Sequence, residues 1–157
     1  MAVYTCTVNW ERGDASFTDQ QYSRAHQWRF DGGAVVPGSS SPHSVKLPWS
    51  DPAAVDPEEA FVAAVSSCHM LWFLSLAAAQ GLRVDRYADA AEGVLGRMPD
   101  GREGMTEVVL RPDIVFSGAR LPDAAAVDAL HHATHERCAI ANSIRGEVRV
   151  AGSWRTA

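Results

Sequence analysis

Two of the three cysteines, Cys68 and Cys138, have polar neighbours of the kind that a reactive thiol needs. Two serines and His69 flank Cys68, and the segment 135–137, His-Glu-Arg, directly precedes Cys138. The thiolate is the nucleophilic form of cysteine, and cationic or hydrogen-bonding neighbours favour it. The pattern therefore indicates thiol chemistry. Packing alone remains an alternative, because free cysteine is among the residue types most often buried.

The same positions could instead hold a metal ion. Cys68 and His69, with His135 and Cys138, supply two thiolates and two imidazoles, which is a ligand set of structural zinc. His135 and Cys138 are three residues apart and share a helical face. Cys68 and His69 are adjacent, however, and point about 100° apart on a helix, so both can hardly bind one ion. We therefore expect no metal and no other cofactor, and keep zinc as the less favoured alternative.

Cys68 falls on a predicted helix with clear start and stop signals. Asp56 is the expected N-cap, Pro57 suits the first helical position, Glu59 can complete a capping box, and Gly81 marks the end. Spacings of three and four predict one inward stripe, made of Phe61, Val65, Cys68, Trp72 and Ser75. Because leucines widen this apolar surface, we expect a core helix buried on most sides rather than a membrane span.

Cys138 falls on a second predicted helix, which starts near Pro122 and Asp123. Its inward stripe is predicted to contain Val127, Leu130, Thr134 and Cys138. Since both inner stripes carry a cysteine, we expect the two helices to pack together. That packing would bring the two sulfur atoms close, although seventy residues separate them in sequence.

Short strands account for most of the remaining chain. Asp31-Gly32-Gly33 and Pro99-Asp100-Gly101 are turn signals of the kind that join antiparallel strands. The candidate strands are 3–10, 25–30, 44–47, 87–98, 105–116 and 147–154. The resulting order, βββ-α-ββ-α-β, predicts one α+β domain over residues 1–157, with two buried central helices against sheets. The limited size of the sheet predicts that a partner subunit helps to cover the helices.

Composition and charge exclude several classes of protein. The net charge is −5 and the pI is about 5.6, which argues against nucleic acid as the main partner because phosphate binding needs a positive surface. The first residues lack the pattern of a signal peptide, and an odd number of cysteines does not suit a disulfide framework. We therefore expect a soluble, cytoplasmic protein that acts on neither nucleic acid nor membrane.

Two segments resemble the OsmC/Ohr family of thiol peroxidases. Residues 56–68, DPEEAFVAAVSSC, look like the motif in which Pro-Glu opens the central helix ten residues before the peroxidatic cysteine. Residues 135–143, HERCAIANS, look like the motif of the second cysteine. Ohr-type members usually have Pro-Tyr-Ser after that cysteine, whereas this chain has Ala-Ile-Ala, so it resembles a divergent OsmC-like branch. The resemblance covers almost the whole chain.

The resemblance implies a reaction and roles for four residues. Cys68 would attack an organic hydroperoxide and become a sulfenic acid, which Cys138 would resolve to a disulfide. An external dithiol, either a small thiol or a lipoyl-type protein, would reduce that disulfide. The family also uses an arginine–glutamate pair beside the reactive cysteine. Glu58 matches the glutamate, and Arg24, ahead of Arg12 and Arg29, is the best match for the arginine, which Glu58 would hold by a bidentate pair. The resemblance also implies an intertwined homodimer.

Three further expectations concern less specific features. Phe61, Met70 and Trp72 could line an apolar entrance that favours organic peroxides over hydrogen peroxide, although such side chains are more often core. Cys6 lies on a strand without polar neighbours and is interpreted as structural. The main alternative to a peroxidase is a non-enzymatic relative that binds a small ligand.

Overall fold

The computed structural model describes residues 1–157, and the chain divides into two units, 1–60 and 61–157. Two α-helices and nine strands form the fold, which confirms the α+β prediction. The elements are β1 Cys6–Asn9, β2 His26–Phe30, β3 Val35–Gly38, α1 Pro57–Ala79, β4 Arg83–Asp89, β5 Glu92–Arg97, β6 Glu103–Leu110, β7 Pro112–Ser117, α2 Ala124–Arg137, the 3-10 helix Ala141–Ser143, β8 Glu147–Val150 and β9 Ser153–Thr156.

The first unit contains an antiparallel sheet in the order β1-β2-β3. The turn at 31–33 joins β2 to β3, with Gly33 at a φ of 86° and His26 opposite Gly38. The prediction of a strand at 44–47 is wrong. The hairpin turn returns the chain at once, so β3 forms at Val35–Gly38, and the amides of Ser44 and Val45 bond to the carbonyl of Ser41 in a turn.

The first unit has no apolar core of its own. No hydrophobic side chain between residues 1 and 60 is fully buried, and several large ones are exposed, including Val3, Tyr4, Val8 and Phe17. The buried residues of the unit are Gly38, Ser39, Ser41, Ser50 and Asp56. Apolar burial is the main favourable term in folding. The unit therefore leaves apolar surface that its own residues do not cover.

The second unit contains two sheets, because each predicted long strand is broken once. The orders are β4-β7-β9 and β5-β6-β8, with β8 parallel to β6 and β9 parallel to β7. The break between β4 and β5 lies beside the break between β6 and β7. There the carboxylate of Asp89, at the end of β4, accepts the backbone N–H of Arg111 at 2.6 Å. Gly152 separates β8 from β9, and a Cβ there would lie 2.4 Å from the carbonyl oxygen of Pro112.

The start of α1 confirms the predicted capping box. The backbone N–H of Glu59 donates to the Asp56 carboxylate at 2.8 Å, and the N–H of Asp56 donates to the Glu59 carboxylate at 3.1 Å. Gly81 follows the helix with a φ of 72°, a conformation that glycine adopts at little cost.

The inward face of α1 differs from the prediction. The buried residues are Val65, His69, Phe73 and Ala77, whereas Trp72 and Ser75 are exposed. Apolar residues occur on every side of the helix, so periodicity could not select one stripe. The expectation of burial on most sides is also wrong for the single chain, because only 22% of an 18-residue window with mean hydropathy 1.7 is buried. By length and composition α1 could cross a membrane, but core helices of soluble proteins pass the same test.

The second helix begins and packs as predicted. Asp123 is the N-cap and accepts the N–H of Ala126 at 2.8 Å. The predicted stripe is fully buried: Val127, Leu130, Thr134 and Cys138. Two of these residues join Phe73 and Phe116 in the larger apolar cluster of the second unit. That cluster fixes α2 on the helix that carries Cys68.

Candidate active site

The two cysteines of the predicted pair are neighbours. Cys68 lies close enough to Cys138 to raise the pKa of its thiol, and neither cysteine is in a disulfide. Cys68 lies in the middle of α1 and is partly exposed, whereas Cys138 is the C-cap of α2 and is 0% exposed. A disulfide between them requires their Cβ atoms to lie about 3.5–4.5 Å apart.

The surroundings of Cys138 favour its thiol form. Burial raises the pKa of Cys138, and the neighbouring Cys68 side chain raises it further. The backbone N–H groups of Ala141 and Ile140 oppose this shift, and that of Ala141 donates to the Cys138 sulfur at 3.4 Å. Solvent reaches Cys68 but not Cys138, so an incoming small molecule meets Cys68 first.

The polar neighbours of Cys68 point in different directions. Ser66 donates to the Asp89 carboxylate at 2.5 Å, and Ser67 is exposed. His69 turns into the interior, where its Nε2 lies 3.0 Å from Nδ1 of His131. The segment 66–69 therefore does not form one polar cluster around the sulfur.

The candidate zinc ligands do not converge. The structure contains no group of three or more histidine, cysteine or acidic side chains that could hold a metal ion. Cys68 faces Cys138 while His69 faces His131, as expected for adjacent helical residues. The zinc alternative therefore lacks its ligand set.

The three apolar residues predicted at the entrance lie in different surroundings. Phe61 packs against the buried cluster of Val65, Val108 and Leu110. Met70 is half-buried. Trp72 is 38% exposed, one turn after Cys68, and the guanidinium of Arg137 lies 5.8 Å from its ring centre.

Arg24 and Glu58 both line a cavity of the first unit, with a volume of about 470 Å³. The bidentate pair expected between them is not formed. The Arg24 guanidinium donates instead to the carbonyls of Gln20 at 2.7 Å and Tyr22 at 2.5 Å, and it lies 3.8 Å from the centre of the Tyr22 ring. The carbonyls of Gln20 and Tyr22 are only four and two residues from Arg24 in sequence, whereas Glu58 is much farther along the chain. The guanidinium therefore bonds to these local acceptors.

The other two candidate arginines do not line this cavity. Arg12 donates to the carbonyl of Ala15, and Arg29 donates to the side chain of Gln27 at 2.8 Å. The cavity therefore favours Arg24 among the three.

Sequence reasoning missed the aromatic wall of the same cavity. Trp10, Phe17 and Tyr22 pack together with ring centres 4.9–6.0 Å apart and line the space beside Arg24. They lie in or beside an irregular segment before β2, so no period of two or 3.6 residues groups them. The remaining lining residues are His26, Ser39, Ser40, Ser44 and Pro57.

The family described as OsmC-like protein matches residues 50–152, which include both cysteines. This chain belongs to the OsmC family. The same fold is found in an OsmC-like protein of unknown function from Vibrio cholerae, at 51% identity and a TM-score of 0.95 over 98% of this chain and 100% of that one. No curated protein matches the sequence.

More distant structures include organic hydroperoxide resistance proteins. One from Elizabethkingia anophelis is 17% identical, with a TM-score of 0.68 over 100% of this chain and 98% of that one. One from Bacillus subtilis is 18% identical, with a TM-score of 0.60 over 98% of both chains. At these identities the likeness shows the OsmC/Ohr fold. The family membership and fold predicted from the two cysteine motifs are thus confirmed.

Proposed function

We propose that this OsmC-family protein is a thiol-dependent reductase of organic hydroperoxides, with Cys68 as the attacking and Cys138 as the resolving cysteine. The observation that carries the proposal is the proximity of a partly exposed Cys68 to a buried Cys138. A cysteine that solvent reaches, with a second thiol beside it, suits sulfenate chemistry followed by disulfide formation.

The reaction takes place in three steps. The Cys68 thiolate attacks the distal oxygen of the peroxide, the O–O bond breaks, and the alkoxide takes a proton to leave as an alcohol. Cys138 then attacks the sulfur of the Cys68 sulfenic acid, the S–O bond breaks, and the thiol proton leaves with the hydroxide as water. An external dithiol, either a small thiol or a lipoyl-type protein, reopens the disulfide by exchange and becomes a disulfide itself.

Arg24 and Glu58 serve this reaction in the proposal. A guanidinium near the sulfur favours the thiolate and stabilises negative charge on the leaving oxygen. Glu58 would take over the guanidinium when peroxide binds, since carboxylates bind arginine bidentately. Trp10, Phe17 and Tyr22 form an apolar wall beside Arg24 that suits the organic part of a peroxide. Of Phe61, Met70 and Trp72, which were expected to line an apolar entrance, only Trp72 is exposed, and it takes that role in the proposal.

The proposal includes a homodimer whose sites combine both chains, with Arg24 and Glu58 of one chain serving Cys68 of the other. Two observations support it. Residues 1–60 bury no hydrophobic side chain fully, and the outer face of α1 leaves Leu71 62% exposed. Burial of such surface against a second copy would recover its hydrophobic free energy. The proposal also places the protein in the cytoplasm, because the reaction starts from reduced thiols and that compartment keeps thiols reduced.

The test is peroxide consumption with dithiothreitol as the donor, comparing cumene hydroperoxide with hydrogen peroxide. We expect turnover with a preference for the organic peroxide. Cys68→Ser should abolish turnover, and Cys138→Ser should accumulate sulfenate at Cys68 without the intramolecular disulfide. Cys6→Ser, at an exposed cysteine of β1, is the matched control and should turn over normally. Normal turnover by Cys68→Ser would contradict the proposal.

Light scattering and subunit complementation test the dimer. A mixture of Cys68→Ser protein with Arg24→Ala/Glu58→Ala protein should regain activity in the hybrids. A monomer at micromolar concentration would contradict the dimer, and inactive hybrids of verified composition would contradict the shared site.

A ligand-binding protein without turnover is the second candidate, and the cavity in the first unit favours it. In that case an unreactive analogue, cumyl alcohol, would bind by calorimetry with an affinity that Arg24→Ala weakens. The absence of peroxide consumption would then distinguish this function from the first.

A further inference from the structure

A buried His69 and a half-buried His131 form a pair that joins the two helices. Their ring nitrogens, Nε2 and Nδ1, are 3.0 Å apart, and their ring centres are 5.3 Å apart with an angle of 18° between the planes. In a hydrogen bond between two neutral imidazoles, one ring nitrogen donates its N–H and the other accepts it. This contact is the one hydrogen bond between nitrogen or oxygen atoms that links α1 to α2.

The pair lies next to the cysteines along both helices. His69 follows Cys68 directly, and His131 precedes Cys138 by seven residues. Seven residues are about two helical turns, so His131 and the end of α2 at Cys138 share one face. The imidazole pair therefore anchors, about 10 Å along α2 from Cys138, the same helix face that carries this cysteine.

The surroundings hold the pair in place. His69 is only 1% exposed. The ring centre of His131 lies 4.6 Å from the ring centre of Phe73, which belongs to the larger apolar cluster. Apolar packing alone tolerates small shifts of one helix along another, whereas a partly buried hydrogen bond between two specific side chains selects one arrangement.

We infer that His69 and His131 are a positioning pair, which fixes α2 on α1 so that Cys138 closes the disulfide with Cys68. The inference rests on the proposed two-cysteine reaction for its role in turnover. In closure, the S–S bond forms, the S–O bond of the sulfenic acid breaks, and water leaves. Disulfides require their Cβ atoms about 3.5–4.5 Å apart, so a small displacement of α2 slows closure.

The test uses substitutions matched to the atoms that form the bond. Glutamine places its amide near the Nε2 position of histidine, and asparagine places its amide near the Nδ1 position. His69→Gln and His131→Asn therefore keep the contact, whereas His69→Asn and His131→Gln misplace it. His69→Leu and His131→Leu remove it. His132→Asn, at an exposed neighbour on α2, is the control and should behave as the parent protein.

Single-turnover experiments with cumene hydroperoxide separate the two steps. Sulfenate formation is followed by dimedone trapping, and closure by loss of free thiols. In the leucine and misplaced variants we expect the disulfide to form about a hundredfold more slowly, which is the loss that a displacement of about 1 Å causes. The rate of sulfenate formation should be unchanged. The matched variants should close at nearly the parent rate. Equal closure by matched and misplaced variants would overturn the inference, even if the leucine variants fail to fold.

Diamide distinguishes failure of this inference from failure of the proposed function. Diamide oxidises the two thiols to a disulfide and is reduced to the hydrazine, without any peroxide. If peroxide yields no sulfenate but diamide closure still depends on the matched contact, the positioning role stands and the peroxidase proposal falls. If sulfenate forms and closure by either oxidant is indifferent to the substitutions, the positioning role falls alone.

Discussion

Asp56 and Glu59 exchange backbone-to-carboxylate hydrogen bonds at the start of α1, at 2.8 and 3.1 Å. The two bonds satisfy N–H groups that the first turn of a helix otherwise leaves without partners. They fix where the helix carrying Cys68 begins, and hence the register of every residue on it.

Asp56→Ala should lower the free energy of unfolding by about 1 kcal/mol, since it removes the N-cap acceptor. Urea denaturation measures the effect. Asp56→Ser retains a capping oxygen and is the matched control, which should lose much less. An equal loss in both variants would mean that the cap is not the source of the stability.

Gly152→Ala should lower the free energy of unfolding by about 1–3 kcal/mol through overpacking. The new Cβ would lie 2.4 Å from the carbonyl oxygen of Pro112, so strands β7 and β9 must separate locally. Gly32→Ala meets no atom within 4 Å and serves as the control in the same thermal or urea experiment. Unchanged stability of Gly152→Ala would contradict the close approach of the two backbones.

Cys138 should react with iodoacetamide only at high pH, because burial and then Cys68 raise its pKa. The measurement is alkylation rate against pH in Cys6→Ser/Cys68→Ala protein, compared with the same variant in urea. Removal of Cys68 leaves burial as the main cause, so the folded midpoint should still exceed the unfolded one. A folded midpoint at or below the unfolded value would refute the assignment of Cys138 as a protonated thiol.

Acid should destabilise the protein through His69. Burial, followed by the charges of His131 and His135, lowers the pKa of His69 from 6.5 to about 4. The folded state therefore disfavours the proton that the unfolded state accepts. The stability due to neutral His69 is present above pH 6.5 and is lost as the pH falls from 6.5 towards 4.

The free energy of unfolding measured across this range should fall less steeply with acid in His69→Gln. His43→Gln, at an exposed histidine, should retain the parent slope. Identical slopes for His69→Gln and the parent would contradict the prediction. Because burial also lowers the pKa of His131, some slope should remain in His69→Gln.

Local signals in the sequence predicted the parts of the fold that depend on neighbouring residues. The cap at Asp56, the turn at 31–33 and the buried stripe that ends at Cys138 are examples. The inward face of α1 could not be predicted, because apolar residues surround that helix and only tertiary contacts choose among its faces. The breaks at Arg111 and Gly152 likewise depend on bonds between strands that are distant in sequence.

In the candidate site, too, some residues could be predicted from local sequence and others could not. Two short motifs identified Cys68 and Cys138, and their proximity in the structure agrees with the packing expected of their helices. The aromatic wall beside Arg24 and the histidine pair could not be predicted. The aromatic residues come from an irregular segment, and the two histidines pair between helices that are distant in sequence.

The lack of an apolar core in residues 1–60 also bears on biosynthesis. Residues 1–60 leave the ribosome before residues 61–157, at about 5–20 residues per second, and they bury no hydrophobic side chain fully. Their exposed apolar side chains must stay in contact with water until another surface covers them. Because exposed apolar surface makes a nascent polypeptide prone to aggregate, we expect these residues to need a chaperone during synthesis.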